Sequence, residues 1–498
     1  MDSSTISYTT FGPTQRWWIV ALVASAGWFS TLSSFIYYPV LPTLARDLHT
    51  TIDRINLTIT SYMSVSGVAP AIVGDAADMF GRRPLYLFTL GMYLAANIGI
   101  ALQRSFTALI ILRMIQSAGI SGTFSIAYGV IADIATPAER GTFVGALSLG
   151  ITTAPSIGPL LGGGLASAVG WRWIFWFLAI TSGVVVIGMA LFLPETGRSV
   201  VGNGTIPPPS YSRPFLPLIM RPYKHHDPQE SSIIHRKKTV PNPLKSLQVL
   251  SRKDTAVSIT AGSIIYMVYC TSHASLSTVL VPTYGLSQLQ AGLVYLPFGL
   301  SSLFSTIISG KIMDRDYKVV AKKYNLPIDR VAGDDLQRFP IEEARLRSII
   351  IPALLTSASM IGYGWAVHKQ MDLWLPLTLQ AVAGFSIQTC FNYNNTLVID
   401  INKEAPATAQ ASFNMVRCIL AAAAVAALQY MINAMGFGLT FTLLGCLCLL
   451  SVLLYLLELQ KGMQWRVAAG AATSPSSLPQ SHAGEAATSS GEKVGNHA

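Results

Sequence analysis

The chain has 498 residues, of which 51% are hydrophobic and only 12% are charged, and its formal net charge is +10. Soluble globular domains contain about 25% charged residues, so this composition excludes an ordinary soluble domain and indicates a membrane protein. The sequence also contains no glycine-rich phosphate-binding loop, which argues against a protein driven by ATP.

From the N-terminus onward, residues 1–15 lack the basic start of a cleavable signal, and the first apolar run is too long for one. That run, residues 17–38, has no charged side chain, and a bilayer core needs about 20 apolar residues in a helix. The same criterion predicts twelve spans along the chain. They lie near residues 17–38, 55–74, 85–102, 107–131, 143–167, 173–193, 256–280, 289–312, 348–367, 373–398, 407–432 and 436–457.

The Lys and Arg residues are distributed very unevenly between the two sides of these spans. Of the 34 in the chain, 27 fall in segments on the side of the N-terminus and only five in the opposite loops. Basic residues are concentrated on the cytoplasmic side of membrane proteins, so both termini are predicted to be cytoplasmic. The net charge of +10 is therefore a topology signal and not evidence of nucleic-acid binding.

The spans fall into two sets of six. We predict an N-terminal tail (1–16), a six-helix half (17–193), a Pro-rich cytoplasmic linker (194–254), a second six-helix half (255–460) and a disordered tail (461–498). The fold class is thus an all-α integral membrane protein with two pseudo-symmetric halves. Such repeats are typical of secondary transporters, whose substrate site lies between the halves.

Two pairs of segments support an internal repeat. GDAADMFGRR follows the second span, and GKIMDRDYK follows the eighth, where counting predicts the equivalent turn. VIADIATPAERGTFVGA follows the fourth span, and LVIDINKEAPATAQASF follows the tenth. The five Cys, at 270, 390, 418, 446 and 448, all lie in spans, so we expect no disulfide framework, no metal site and no cofactor.

The loop after the second span packs two Asp and two Arg into GDAADMFGRRP, residues 74–84. Its key positions are Gly74, Asp78, Gly81, Arg82 and Arg83. Gly81 suits a very short turn because it readily adopts a positive φ. Arg82 can pair with Asp133 at the inner end of the fourth span, and Asp78 can face a helix N-terminus in the other half. These charges predict a latch at the inner gate; the alternative is that the two arginines only fix the topology.

The fourth span carries a charge inside the membrane, in LIILRMIQSAG at residues 109–119. A guanidinium in a span is costly, so Arg113 is expected to face a wet cavity or a partner. Gln116, Ser117, Ser121 and Phe124 share its helical face, which predicts a polar strip along a transport path. The alternative is that Arg113 only bridges helices.

The fifth span is rich in small residues at a regular spacing. Its sequence places Gly145, Ala154, Gly158, Pro159, Gly162 and Gly163 at the positions of interest. Small residues let two helices approach closely, and a proline introduces a kink. Generic helix packing is the alternative interpretation.

These three elements resemble motifs of the major facilitator superfamily, and within it the twelve-span drug:proton antiporters common in fungi. The resemblance covers about residues 16 to 460, and ERG at 139–141 and LPET at 193–196 fit it too. It implies that Arg113 serves proton transfer and substrate contact, and that the fifth-span motif marks an antiporter and not an uptake system. The chain departs from the family at Met79, where an Arg often follows the Asp, and at Ala154, where a Gly is usual.

In this fold the first, fourth, seventh and tenth spans line the cavity, so their polar faces are candidate substrate contacts. The candidates are Trp28, Ser34, Phe35, Tyr266, Tyr269, Cys270, His273, Gln388, Asn392 and Asn395. Arg417 lies about ten residues into the eleventh span, near the midplane. The alternative for the polar residues is hydrogen bonding between helices. His273 could carry a proton or act only as a structural donor, and no carboxylate lies deep in a span.

Together these observations predict a proton-coupled exporter of a drug-like compound or secondary metabolite in the plasma membrane. It is expected to be monomeric and not an enzyme, with protons, a small molecule and the lipid bilayer as its partners. An organic-acid exporter is the main alternative, because two buried cations, Arg113 and Arg417, would suit an anion. A nutrient symporter and a non-transporting membrane sensor are the further alternatives.

Overall fold

The computed structural model describes residues 9–135, 137–216, 249–325, 339–402 and 406–473. Within these ranges the chain is helical and contains no β-strand. Residues 461–473 of the predicted disordered tail are helical, and the remainder of that tail, the middle of the predicted linker and the first eight residues lie outside the described ranges.

Twelve helices of membrane-spanning length occur in the described ranges, and we number them in chain order. The first six are α1 Pro13–Phe35, α2 Ile52–Phe80, α3 Arg82–Leu102, α4 Phe106–Ile134, α5 Pro137–Val169 and α6 Arg172–Phe192. The last six are α7 Lys253–Tyr284, α8 Leu296–Lys323, α9 Ile350–His368, α10 Trp374–Ile401, α11 at 406–435 and α12 at 437–473. We call the side on which α1 begins the N-terminal face.

Local sequence signals explain where several of these helices begin. The Thr51 hydroxyl accepts a hydrogen bond from the Arg54 backbone N–H at 3.4 Å and caps α2. Ser105 caps α4 in the same way through the Ala108 N–H at 3.2 Å. α5 begins with Pro137, whose missing N–H costs little in a first turn.

The turn between α2 and α3 is a single residue. α2 continues to Phe80 and α3 begins at Arg82, so only Gly81 lies between them, with φ 101°. This is the short, positive-φ turn that the sequence predicts, and it places Asp78 in the last turn of α2.

The prediction of an equivalent turn at GKIMDRDYK was wrong. Residues 310–318 lie inside α8, which continues without a break to Lys323. The segment contains no residue that breaks a helix apart from one glycine, and its charged residues lie where α8 extends past the apolar stretch. The repeat is therefore preserved in helix order but not in the position of this turn.

α11 and α12 are joined by one residue, Gly436, with φ 77° and ψ 173°. α12 then runs back antiparallel to α9: a side chain at Gly364 would meet Phe441, and Ser357 donates to the Gly445 carbonyl at 2.8 Å. The apolar segment Thr408–Ala469, which is 62 residues long, thus crosses the membrane twice.

The first six helices meet the last six along three seams. Between α2 and α11, Thr60 donates to the Ala422 carbonyl at 3.2 Å and Asn414 Nδ2 to the Ser66 carbonyl at 2.9 Å. α5 packs against the short helix Gln288–Leu293 that precedes α8, and the end of α1 packs against α7. The last two seams lie toward the face opposite the N-terminal face.

Candidate functional site

Arg113 lies two turns into α4 and is only 1% exposed. Its guanidinium carbon lies 4.5 Å from the ring centroid of Tyr37 and 4.3 Å from that of Tyr62. Nη1 donates to Gln116 Oε1 at 2.6 Å, while Nε has no hydrogen-bond partner in the described part of the chain. Two aromatic faces and an amide oxygen therefore hold this charge where a carboxylate would otherwise be expected.

Gln116 extends this polar contact from α4 to α3. Its Nε2 donates to Asn97 Oδ1 at 2.7 Å, and Asn97 Nδ2 donates to the Tyr93 carbonyl at 2.8 Å. The Tyr93 and Ser33 hydroxyls share a short hydrogen bond that reaches α1. Ser121 does not join this network, because its hydroxyl donates to the backbone of its own helix at 2.7 Å.

Arg417 in α11 is held in a similar way but remains partly exposed. Its Nη2 donates to Asn414 Oδ1 at 2.8 Å and its Nε to the same oxygen at 3.2 Å. Three rings surround the guanidinium carbon, with centroids at 4.7 Å for Tyr266, 5.2 Å for Phe391 and 5.4 Å for Phe413. Because Asn414 also bonds to α2, this cage lies beside a seam between the two sets of helices.

His273 is almost fully buried, at 1% exposed, in an aromatic cluster toward the face opposite the N-terminal face. The surrounding rings are Phe35 at the end of α1, Tyr38 just after it, Tyr269 of α7, Tyr295 just before α8 and Phe298 of α8. Nδ1 has no hydrogen-bond partner among the described residues. This environment favours the interpretation that His273 packs the two sets of helices together over the one in which it carries a proton.

The polar face of α10 is used partly for packing. Gln388 Nε2 donates to Asn392 Oδ1 at 2.8 Å, and Asn392 Nδ2 donates to the Ser309 hydroxyl of α8 at 2.8 Å. Both side chains are partly exposed, so hydrogen bonding between helices and contact with a ligand are compatible here.

The charges of the 74–84 stretch form a compact network at the N-terminal face. Arg82 Nη2 lies 2.6 Å from Asp78 Oδ1, and Arg82 Nε lies 3.0 Å from Asp133 Oδ2. Gly74 packs against α4, since a side chain there would meet Ser125 at 3.3 Å. α2, α3 and α4 are therefore joined by one arginine.

Glu195 is a central residue of this network that the sequence analysis did not single out. It is 1% exposed and accepts the Arg82 N–H at 2.8 Å and the Arg83 N–H at 3.2 Å. The Gly197 N–H at 2.8 Å and the Ser212 hydroxyl at 2.6 Å bind it as well. It thus caps α3 from the segment after α6, a carboxylate at a helix N-terminus. Its only signal in the sequence is the LPET at 193–196.

Arg83 and the first part of the predicted linker close this region. Arg83 Nη2 donates to the Ala190 carbonyl at 2.7 Å, at the end of α6. Ser199 donates to the Asp78 carbonyl at 2.6 Å, and Arg198 Nη2 donates to the Asp133 carbonyl at 3.1 Å. Residues 194–216 therefore pack on the first six helices, ahead of the part of the linker that lies outside the described ranges.

The last six helices repeat the central ion pair. Arg345, just before α9, lies 2.8 Å from Asp400 near the end of α10, as Arg82 at the start of α3 pairs with Asp133 near the end of α4. Asp316 near the end of α8 accepts a short hydrogen bond from Ser348. The sequence signal for this repeat was the similarity of the segments after the fourth and tenth spans.

The small residues of α5 lie at points where the helices approach closely. A side chain at Gly162 would lie 2.0 Å from the Ile36 carbonyl, and one at Gly158 would lie 3.2 Å from the Ile36 nitrogen. A side chain at Gly292 would lie 2.7 Å from the Pro159 carbonyl and 3.3 Å from the Gly163 Cα. The motif thus packs α5 closely against both the end of α1 and the short helix Gln288–Leu293 that precedes α8. Gly145 also lies in α5, but its side-chain surroundings lie outside the described part of the chain.

These features define a class: a multi-pass helical membrane protein with two related sets of six helices, caged cations within the bundle and ion pairs at one face. The model of the Major Facilitator Superfamily matches residues 23–426. The chain belongs to this superfamily of transporters, which confirms both the family resemblance and the twelve-helix fold class.

Two of the similar proteins are fungal transporters. The chain is 37% identical over 462 residues to the MFS-type transporter phiD of Fungal sp., covering 92% of this chain and 70% of that protein. It is 34% identical over 476 residues to the Multidrug transporter QDR2 of Candida glabrata, covering 91% and 81%. Among solved structures, the xylose transporter XylE from E. coli shares the fold with a TM-score of 0.63 at 15% identity, over 88% of this chain and 97% of that one.

Proposed function

We propose that this transporter exports a small organic compound, such as a drug or a secondary metabolite, across the plasma membrane in exchange for protons. Its termini are cytoplasmic in this proposal, and it works as a monomer. The similarity to a Multidrug transporter supports export. The uneven distribution of Lys and Arg supports the orientation.

The observation that carries the proposal is the contact of α5 with the short helix Gln288–Leu293, which joins the two sets of six helices. At Gly292 no side chain fits, because it would lie 2.7 Å from the Pro159 carbonyl of α5. Helices in such contact close one face of the bundle tightly, and they must separate for that face to open. This supports an alternating-access cycle that uses the motif through which the chain resembles antiporters.

In this proposal Arg113 places a fixed positive charge beside the transport path and does not itself carry the proton that is exchanged for cargo. A guanidinium keeps its proton in proteins, so Arg113 can only attract an anion or repel a cation. With Tyr37 and Tyr62 against its faces and Gln116 on one edge, its position is set by the segment just after α1, by α2 and by its own helix α4. A negative charge on cargo, or the loss of a proton nearby, would be stabilised there.

Export of an organic acid is the second candidate, and Arg417 is the observation that favours it. The guanidinium is partly exposed, and its Nε–Nη2 edge, which could bind a carboxylate, donates both of its hydrogen bonds to the single oxygen of Asn414. Arginine binds carboxylates through two parallel hydrogen bonds, which suits this geometry.

The test is transport into proteoliposomes under an imposed pH gradient, with a lipophilic cationic dye and a radiolabelled aromatic carboxylate as probes. We expect uptake of a probe against its gradient when the lumen is acidic, collapse of that uptake with a protonophore, and no effect of ATP. The Arg113→Gln variant is the control for leak.

If the wild-type protein takes up both probes to the same extent with and without the pH gradient, proton exchange is refuted. Accumulation of the carboxylate alone would favour the second candidate. Cells that lack the protein should retain more of the transported probe than cells that contain it.

A further inference from the structure

A buried carboxyl without a partner lies at the N-terminal face of the last six helices. Glu458 of α12 is 0% exposed, and neither of its oxygens has a hydrogen-bond partner among the described residues. A desolvated carboxylate in this state is costly, because nothing replaces the water it loses. The function proposed above does not use this residue.

The groups around Glu458 are themselves charged. Asp254 of α7 and Glu342 of the short helix Ile341–Leu346 face it, as do Arg466 of α12 and the Ser258 hydroxyl. Asp254 and Glu342 are 0% and 2% exposed. Gly462 leaves room for the Glu458 and Glu342 side chains to lie close together. A side chain at Gly462 would lie 2.7 Å from Glu458 Oε1 and 2.9 Å from Glu342 Cγ.

The two neighbouring carboxylates each have an arginine of their own. Arg466 binds Glu342 through two hydrogen bonds, at 2.7 and 3.0 Å, and Arg252 binds Asp254 at 2.7 Å. Asp254 also accepts the Thr255 N–H at 2.8 Å. Three carboxyls thus share two arginines, and Glu458 is the one left over. Two carboxylates already beside it add repulsion to the cost of its charge.

We propose that Glu458 binds a proton in this conformation, which makes the cluster a proton-binding site open to the solvent of the N-terminal face when the helices separate. The carboxylate takes one proton from water and becomes a neutral acid facing the Ser258 hydroxyl, with no other bond changed. Movement of α12 that brings an arginine to Glu458 would release this proton. Its use in transport rests on the proposed proton exchange, whereas the bound proton itself does not.

Infrared spectroscopy of the reconstituted protein at neutral pH tests the site directly. We expect a carbonyl band of a protonated carboxyl that shifts in deuterium oxide and is lost in Glu458→Gln. Glu195→Gln is the matched control: it removes a buried carboxyl that lies outside this cluster and already accepts several hydrogen bonds, and it leaves Arg466 with Glu342, so the band should remain. A band that is unchanged in Glu458→Gln would overturn the proposal.

Transport measured across mildly acidic to mildly alkaline pH tests the coupling. Because glutamine mimics the neutral acid, Glu458→Gln should fold normally and transport with a flattened pH dependence. If Glu458→Gln loses the band but its transport has the same pH dependence as wild-type transport, the bound proton has only a structural role and the proposed coupling to transport is overturned. If wild-type transport does not depend on the proton gradient but the band is present, the proposed function is refuted while the proposed proton-binding site is still supported.

Discussion

Arg82 Nε donates to Asp133 Oδ2 at 3.0 Å, and this contact fastens the start of α3 to the end of α4. Arg82 also binds Asp78 at 2.6 Å, but the two carboxylates differ in environment: the Asp133 side chain is 8% exposed and that of Asp78 is 39% exposed. The same arginine therefore makes one buried and one partly hydrated ion pair, and the two pairs are expected to differ in their effect on stability.

The first prediction separates a gate from a structural contact at this arginine. Arg82→Ala leaves Asp133 buried without its partner and should cost about 3–5 kcal/mol of stability. Asp78→Ala removes a hydrated pair and should cost less than about 1 kcal/mol. If Asp78 serves a latch, its variant should nevertheless lose most transport at normal surface expression. Transport assays with thermal unfolding in detergent check this, and full transport by Asp78→Ala would contradict the latch.

The second prediction concerns the close contact between α5 and the end of α1. Gly162→Ala would place a methyl group 2.0 Å from the Ile36 carbonyl, so α1 and α5 must move apart. We expect loss of most transport and a clear drop in melting temperature. Gly164→Ala is the matched control, because nothing lies within 4 Å of a side chain there. Equal behaviour of the two variants would show that the close approach has no role.

The third prediction concerns the cap that Glu195 provides for α3. Glu195→Ala should destabilise the protein by about 1–2 kcal/mol, because the backbone N–H groups of Arg82 and Arg83 lose their acceptor. Glu343→Ala is the control: its ion pair with Lys323 is largely exposed and should contribute little to stability. Thermal unfolding of both variants measures the difference, and a smaller loss for Glu195→Ala would argue against the cap.

The fourth prediction distinguishes the two cargo classes at Arg417. For an anionic cargo, Arg417→Gln should lose most transport and Arg417→Lys much of it, since lysine cannot grip a carboxylate with two parallel bonds. For a neutral or cationic cargo, Arg417→Gln should keep substantial transport. Both variants are compared on a carboxylate panel and a cationic drug panel at matched surface expression. Equal loss on both panels would assign Arg417 to the fold or to coupling.

The spans, the turn at Gly81 and the close packing of α5 were predictable from sequence because each depends on local rules. Apolar length sets a span, a one-residue turn needs glycine, and a close approach needs small residues. Arg113 was predictable as a special residue for a similar reason, since a charge inside a span always demands an explanation.

What surrounds these residues was not predictable. The cage of Arg417 draws Tyr266, Phe391 and Phe413 from three helices, and a sequence without known contacts does not indicate which rings meet. Glu195 was missed because its role depends on the chain after α6 folding back onto the start of α3. The GKIMDRDYK turn was wrongly predicted because helix α8 extends past the membrane, which charge alone does not reveal.

The single-residue connection at Gly436 has a practical consequence. Two long helices that meet through one glycine leave no exposed loop for a protease, an antibody or an inserted epitope tag. A tag that reports which side of the membrane this face lies on would have to be placed elsewhere, for example in the five-residue link between α9 and α10, where Gln370 adopts a φ of 50° outside any helix. A label attached at this end of α11 would therefore also report on the start of α12, since a single residue separates the two helices.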